Sequence, residues 1–286
     1  VKILKAFISV DLEGMPYIVT PAQLSIRGSL YKEARDIATK VTNIVCDELH
    51  KCGFDEIIVA DSHGPMVNLL VESIPEYVEI IRGFPRPLSM IAGSEGCNAA
   101  LFLGYHAKYG TPLSTFDHTY SGGTIREVKV NGIPASEFLL NGYVLGEFNI
   151  PLILVAGEAK LIEDDVKIFT PWAEAVVLKN SLSRVSAKSP SISKIELELR
   201  SAVKKAVDKF NNGEVKPLKP KHPVRFEVTF LASHFADVAA LAPNVKRIDG
   251  LTVEYVCEDM LSAYKLFELL ILAGSAVANI LQRDAG

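Results

Sequence analysis

Three apolar runs in this chain end in side chains that bind metal ions. Ala6–Val10 runs into Asp11 and Glu13, Glu56–Ala60 into Asp61 and His63, and Ala99–Leu103 into His106. Carboxylate and imidazole together suit zinc, with manganese, cobalt and iron as alternatives. Asp11 and Glu13 stand two apart, so a strand continued through them turns both to one face. Neighbouring carboxylates repel unless a proton or a cation joins them, and a divalent ion is the simplest resolution at neutral pH.

Each residue also has an ordinary explanation. An Asp at a strand end is usually a turn or helix cap, and Asp61 is assigned that role or support of a neighbouring ligand. Three other histidines read as structural or exposed: His50 within a helix, His222 in the Lys/Pro-rich loop and His234 in a loop after a strand. His63 and His106 stand above this background because both follow strands that should neighbour the Asp11 strand.

The elements that must position these groups read as α/β. Ile3–Val10 is a buried strand, and Tyr31–Cys52 a helix with Ala34, Ile37, Ala38, Val41, Ile44, Val45 and Leu49 on one face. Gly53 stands where a helix C-cap prefers glycine. Strand, helix, strand at this spacing predicts right-handed crossovers and a largely parallel or mixed sheet with flanking helices. Ligands of such sheets bind outside the carboxyl ends of the strands. Thr124–Val130 alternates like a strand and meets the turn signal Asn131-Gly132. Pro134 is expected to open a helix through Phe148, with a strand at Ile153–Ala156. From Lys179 to Pro190 the apolar pattern fades, so a metal-binding α/β lobe is assigned to residues 1–180 and a smaller α/β lobe to 181–286. The second lobe reads as a helix over Ile192–Phe210, strands at Arg225–Phe230 and Thr252–Val256, and a closing apolar helix over Met260–Leu281.

Composition narrows the function classes. The chain has 286 residues, 49% apolar and 22% charged, which fits a globular fold with a real core rather than a disordered or collagen-like chain. Its formal charge of -4 and lack of a long basic run argue against a nucleic-acid partner. Cys46, Cys52, Cys97 and Cys257 form no C-x-x-C pair and read as reduced thiols of a cytoplasmic protein. Lys2 and Lys5 lead into a strand rather than a signal peptide. Leu269–Ala278 is the most apolar stretch and falls short of the roughly 20 residues that span a bilayer, so no membrane partner is expected. Only two glutamines occur, Gln23 and Gln282, which leans towards a thermophilic source.

Further motifs make the chain less anonymous. Ser9-Val10-Asp11-Leu12-Glu13-Gly14 resembles the Ser-x-Asp-x-Glu-Gly signature of the zinc D-aminopeptidases encoded with bacterial dipeptide-transport genes. The resemblance continues, in order, through Asp61-Ser62-His63, the Ala100–Ala107 segment, Asn131–Glu137, Leu140–Tyr143, Val155-Ala156-Gly157, Ser183-Arg184 and Asp259–Tyr264. One such motif is weak; several in the right order along nearly the whole chain are strong. Glu158 stands where the family pattern has Asp, and residues 15–19 and 160–175 match loosely.

The resemblance implies two zinc ions per subunit, with Asp11 bridging them and Glu13, His63, His106 and Glu137 as the other protein ligands. It implies that His118 is a catalytic histidine beside the metals. It also implies short peptide substrates with an N-terminal D-residue, and a homo-oligomer, a decamer of stacked pentameric rings enclosing the active sites. Glu137 and His118 owe their selection to the resemblance alone; without it they read as a helix-dipole partner and an exposed loop histidine. Zinc-bound water, with its pKa lowered towards about 7, would attack the peptide carbonyl. Two alternatives stay open on the sequence. One is a metal-dependent phosphohydrolase, since Asp-x-Glu partly matches the Asp-x-Asp of aspartyl-phosphate enzymes. The other is a non-catalytic ring-forming protein that binds peptides or metal.

Overall fold

The computed structural model describes residues 3–284; residues 1, 2, 285 and 286, Lys2 among them, lie outside it. Along the chain run β1 (Lys5–Val10), α1 (Pro21–Leu24), α2 (Tyr31–Lys51), β2 (Glu56–Asp61), β3 (Val78–Ile81), β4 (Ala99–Tyr105), β5 (Ile125–Val130) and β6 (Ile133–Pro134). Then follow α3 (Glu137–Glu147), β7 (Leu152–Glu158), α4 (Ala159–Leu161), a π-helical turn at Ile162–Val166 and α5 (Lys167–Phe169). The remainder is β8 (Glu174–Ser183), β9 (Ser186–Lys188), α6 (Ile192–Asn211), β10 (Val224–Phe230), α7 (Ser233–Ala239), β11 (Lys246–Arg247), β12 (Thr252–Cys257) and α8 (Met260–Asp284).

A seven-stranded sheet of order β3-β2-β1-β4-β7-β8-β9 forms the frame, parallel throughout except for the edge strand β9. Its central strands are apolar on both faces because both are covered. One face meets α2 and α6, whose Ala38, Val41, Val45, Leu199 and Val203 pack with Ile8, Leu101 and Leu154 of the sheet. The other face meets α3, where Phe138 and Val144 join Phe7, Phe102 and Val155 in a second core. That core continues into an antiparallel five-stranded sheet of order β11-β12-β10-β5-β6 and into α7 and α8.

Sheet membership does not divide at residue 180. β5 and β6 lie before that position and pair in the sheet of β10 and β12, while α6 lies after it and packs on the large sheet. The polar stretch after Lys179 is the end of β8 and its hairpin to β9, which closes one sheet edge. Pro134 does not open α3. It pairs with Lys129 in β6, and the helix starts at Glu137 behind the Ser136 N-cap. His234 sits in the first turn of α7 rather than in a loop.

Helix α8 is long and apolar enough to cross a membrane by length and composition. Its first half is built into the second core through Met260, Ala263, Tyr264, Phe267 and Leu270, whereas Leu269, Leu272, Ile280 and Leu281 are exposed.

Candidate metal centre

The strand order reverses between β1 and β4, the switch point at which open parallel sheets bind ligands. Register sets three strand ends side by side there, with Val10 paired to both Asp61 and Leu103. β1 stops at Val10, so Asp11 and Glu13 meet through a turn and not through a continued strand. Two glycines let that turn lie against the end of β4. Gly104 takes φ +73°, and a Cβ there would stand 2.0 Å from the Asp11 carbonyl oxygen. A Cβ on Gly14 would stand 1.9 Å from the Tyr105 carbonyl oxygen. The close approach is tied by Asp11 N–H donating to Leu103 O and Gly14 N–H to Gly104 O.

Asp11, Glu13, His63, His106 and Glu137 converge, each at most 8% exposed. The His63 Nδ1 lies 3.2 Å from Asp11 Oδ1 and 2.6 Å from Glu13 Oε2. The His106 Nε2 lies 3.5 Å from Asp11 Oδ2 and 3.6 Å from Glu137 Oε1. His118 stacks on the His106 ring at 4.4 Å, and its Nε2 is 3.5 Å from Glu137 Oε1. Three sets of metal-donor atoms result: Asp11–Glu13–His63, Asp11–His106–Glu137 and Glu13–His106–His118. His50, His222 and His234 belong to none of them.

Backbone contacts hold each ring in one orientation. His63 Nε2 donates to Leu24 O, His106 Nδ1 to Ala107 O and His118 Nδ1 to Phe116 O. In the neutral ring, a nitrogen that donates to a carbonyl leaves its opposite nitrogen as a lone-pair donor facing the carboxylates, the tautomer that metal-binding histidines adopt. Glu137 is fixed by the Tyr120 N–H on Oε1 at 2.7 Å. Asp61 stays outside the cluster and steadies the loop that carries His63. It accepts from Leu69 N and from Asn68 Nδ2, which also reaches the His63 carbonyl.

The electrostatics ask for a cation. Burial and the Glu13 charge push the Asp11 carboxyl well above its usual range. Burial pulls His63 and His106 down, but the surrounding carboxylates outweigh it; His63 ends well above the usual imidazole value and His106 at about 10. Glu13 and Glu137 are pushed up by burial and pulled lower still by the imidazoles beside them. His106 Nε2 is buried without a hydrogen-bond partner, and Glu13 Oε2 is buried with only the His63 ring nitrogen against it. Such groups are costly unless something coordinates them. Hard carboxylate oxygens with imidazole nitrogens are a donor set that fits divalent zinc.

The sequence and the fold both match known proteins. The D-aminopeptidase family model of peptidase class M55 matches residues 4–269. The chain belongs to the M55 D-aminopeptidase family. A D-aminopeptidase of Bacillus subtilis (strain 168) is 31% identical over 264 residues, which are 92% of this chain and 94% of that protein. The solved structure of the Zn-dependent D-aminopeptidase DppA from Bacillus subtilis, described as a self-compartmentalizing protease, superposes with a TM-score of 0.90 at 30% identity. That match covers 95% of this chain and 98% of the other. Family membership makes the chain a metallopeptidase and sets aside both the phosphohydrolase and the non-catalytic alternatives.

Two pertinent residues escaped the sequence reading. Lys179 on β8 is fully buried and donates through Nζ to the carbonyls of Glu13 and Ile18, clamping the turn that carries two of the acids. Glu268 on α8 lines the cavity of about 270 Å³ that opens over the cluster. A lysine in a strand reads as solvated and an acid in an apolar helix as incidental, so neither leaves a local signal.

Proposed function

We propose that this chain hydrolyses short peptides from a free N-terminus, preferring a D-residue there, at a dinuclear zinc centre held by Asp11, Glu13, His63, His106 and Glu137. One observation carries the reading: the two carboxylate oxygens of Asp11 face different histidines, Oδ1 towards His63 and Oδ2 towards His106. Asp11 thereby belongs to two donor sets at once, as a bridging ligand must. When bound, a divalent pair supplies a Lewis acid for the peptide carbonyl and lowers the pKa of water.

The chain's own groups do the rest. Burial and the adjacent His106 ring hold His118 below the usual imidazole pKa. With Nδ1 donating to Phe116 O, its Nε2 is the free acceptor. His118 Nε2 takes the proton of the attacking water and returns it to the leaving amine. The cavity walls exclude bulk water and orient the scissile bond.

The Bacillus protein's self-compartmentalizing character supports a parallel assembly here, a decamer of stacked pentameric rings with the sites inside. Free thiols at all four cysteines fit work in the cytoplasm. The test is a chiral panel of alanine dipeptides and tripeptides against phosphate esters, run alongside metal analysis. Turnover of D-Ala-first peptides with two zinc ions per chain is expected. Equal turnover of L-first peptides, or one ion per chain, overturns the corresponding part.

A further inference from the structure

Four acids line the cavity over the cluster: Asp11, Glu13, Glu137 and Glu268. The first three fall within the metal-donor sets; Glu268 falls within none. It enters from α8, an element that brings no donor to the cluster, and reaches across to accept a hydrogen bond from the Leu88 N–H at 3.2 Å. Among the described residues it makes no ion pair with any Lys, Arg or His. Burial raises its pKa to about 7, against the pull of the Leu88 and Ser89 amides and of Lys265 and Arg86 further off. A half-buried carboxylate without a cation, turned into a ligand cavity, is incomplete by itself. The same cavity carries an apolar lining of Met66, Phe84, Pro85, Ile271 and Leu272, with serines such as Ser89 and Ser275 among them.

We propose that Glu268 anchors the α-ammonium of the substrate, while the apolar wall beside it takes the first side chain. This deepens the function proposed above and rests on it. The peptide carbonyl is held at the donor cluster, the ammonium at Glu268 and the side chain at the wall. A chiral α-carbon gripped through three of its substituents is read for handedness, because its mirror image satisfies only two contacts at once. Discrimination then comes from the contact the wrong enantiomer loses. The substrate class is a short peptide with a free, protonated amino terminus and a small apolar first residue. An N-blocked peptide leaves the Glu268 charge desolvated and without a counter-charge, and is rejected for that reason.

The test compares the zinc-loaded wild type with Glu268→Gln. Binding of a phosphinic isostere of D-Ala-D-Ala and of its des-amino counterpart is measured by calorimetry. In parallel, kcat and KM are measured for D-Ala-D-Ala and L-Ala-D-Ala. Gln keeps an oxygen for the Leu88 N–H, and metal content with circular dichroism confirms an intact fold. The wild type should prefer the free-amine isostere by about ten-fold or more, the worth of one charge-assisted contact. In Glu268→Gln that preference should shrink to within about two-fold, KM for D-Ala-D-Ala should rise and the D-to-L ratio should fall. If the variant loses its fold, Glu268→Asp carries the same comparison, with the preference falling several-fold as the charge withdraws. An undiminished preference in a folded variant, while the wild type turns over D-first peptides, overturns the anchor and leaves the peptidase reading standing. A wild type inactive on every peptide overturns both.

Discussion

Asp11 is the side chain through which the two halves of the site are joined, since its oxygens reach His63 and His106 separately. Asp11→Asn keeps the shape and removes the shared charge, so both ions should be lost together and activity with them. Metal analysis after gel filtration decides it: two ions retained per chain would end the dinuclear reading. His118 is set apart by its greater exposure, yet it shares one donor set with Glu13 and His106. His118→Ala should keep its metal and lose about 10²–10⁴ in turnover, the usual worth of acid–base help. Loss of metal instead makes His118 a ligand. At this scale the sequence was partly legible. Asp11, Glu13, His63 and His106 announce themselves because strand ends gather at one edge of a parallel sheet. Glu137 and His118 do not, since nothing local distinguishes a helix-start acid or a loop histidine that happens to face a cluster.

Secondary elements act here mainly as devices for close approach. The turn after β1 reaches the end of β4 only because Gly14 and Gly104 offer no Cβ to collide with the opposing backbone. From the far side β8 brings Lys179, whose ammonium ties the carbonyls of Glu13 and Ile18. Burial lowers its pKa to about 7 against the pull of Glu158, Glu13 and Asp11, a cost set against the order it imposes on that turn. Lys179→Met keeps the volume and removes both donors. Metal affinity should fall by about 10–100-fold, as it does when groups that orient ligands are removed. Competition with a chelator measures it, and unchanged affinity would reduce Lys179 to a packing residue. The helices α2 and α6 were legible from their apolar spacing, and the central strands from short apolar runs. The second sheet was not, because β5 and β10 pair across nearly a hundred residues and no local period records the partner. The same long-range pairing hid Lys179: burial of a lysine depends on what lies across the sheet, not on its neighbours in sequence.

For the whole molecule the telling element is α8, which reads from sequence as apolar all round. The structure divides that pattern between faces. Tyr264, Phe267 and Leu270 enter the core, while Leu269 and Leu272 in the neighbouring positions, and Ile280 and Leu281 further on, are exposed. Contiguous apolar surface beyond a few hundred Å² marks an interaction site more often than a free face. The same helix borders the cavity through Glu268, Ile271 and Leu272, so a second copy packed on its exposed side would also narrow the way to the donor cluster. Ring assembly and restricted access are on this view one arrangement. Light scattering at micromolar concentration should find a species well above the dimer of a 31.2 kDa chain. A 31.2 kDa particle refutes assembly, and cleavage of folded proteins as readily as dipeptides refutes enclosure. The two outcomes are separable, because an open ring would pass the first measurement and fail the second.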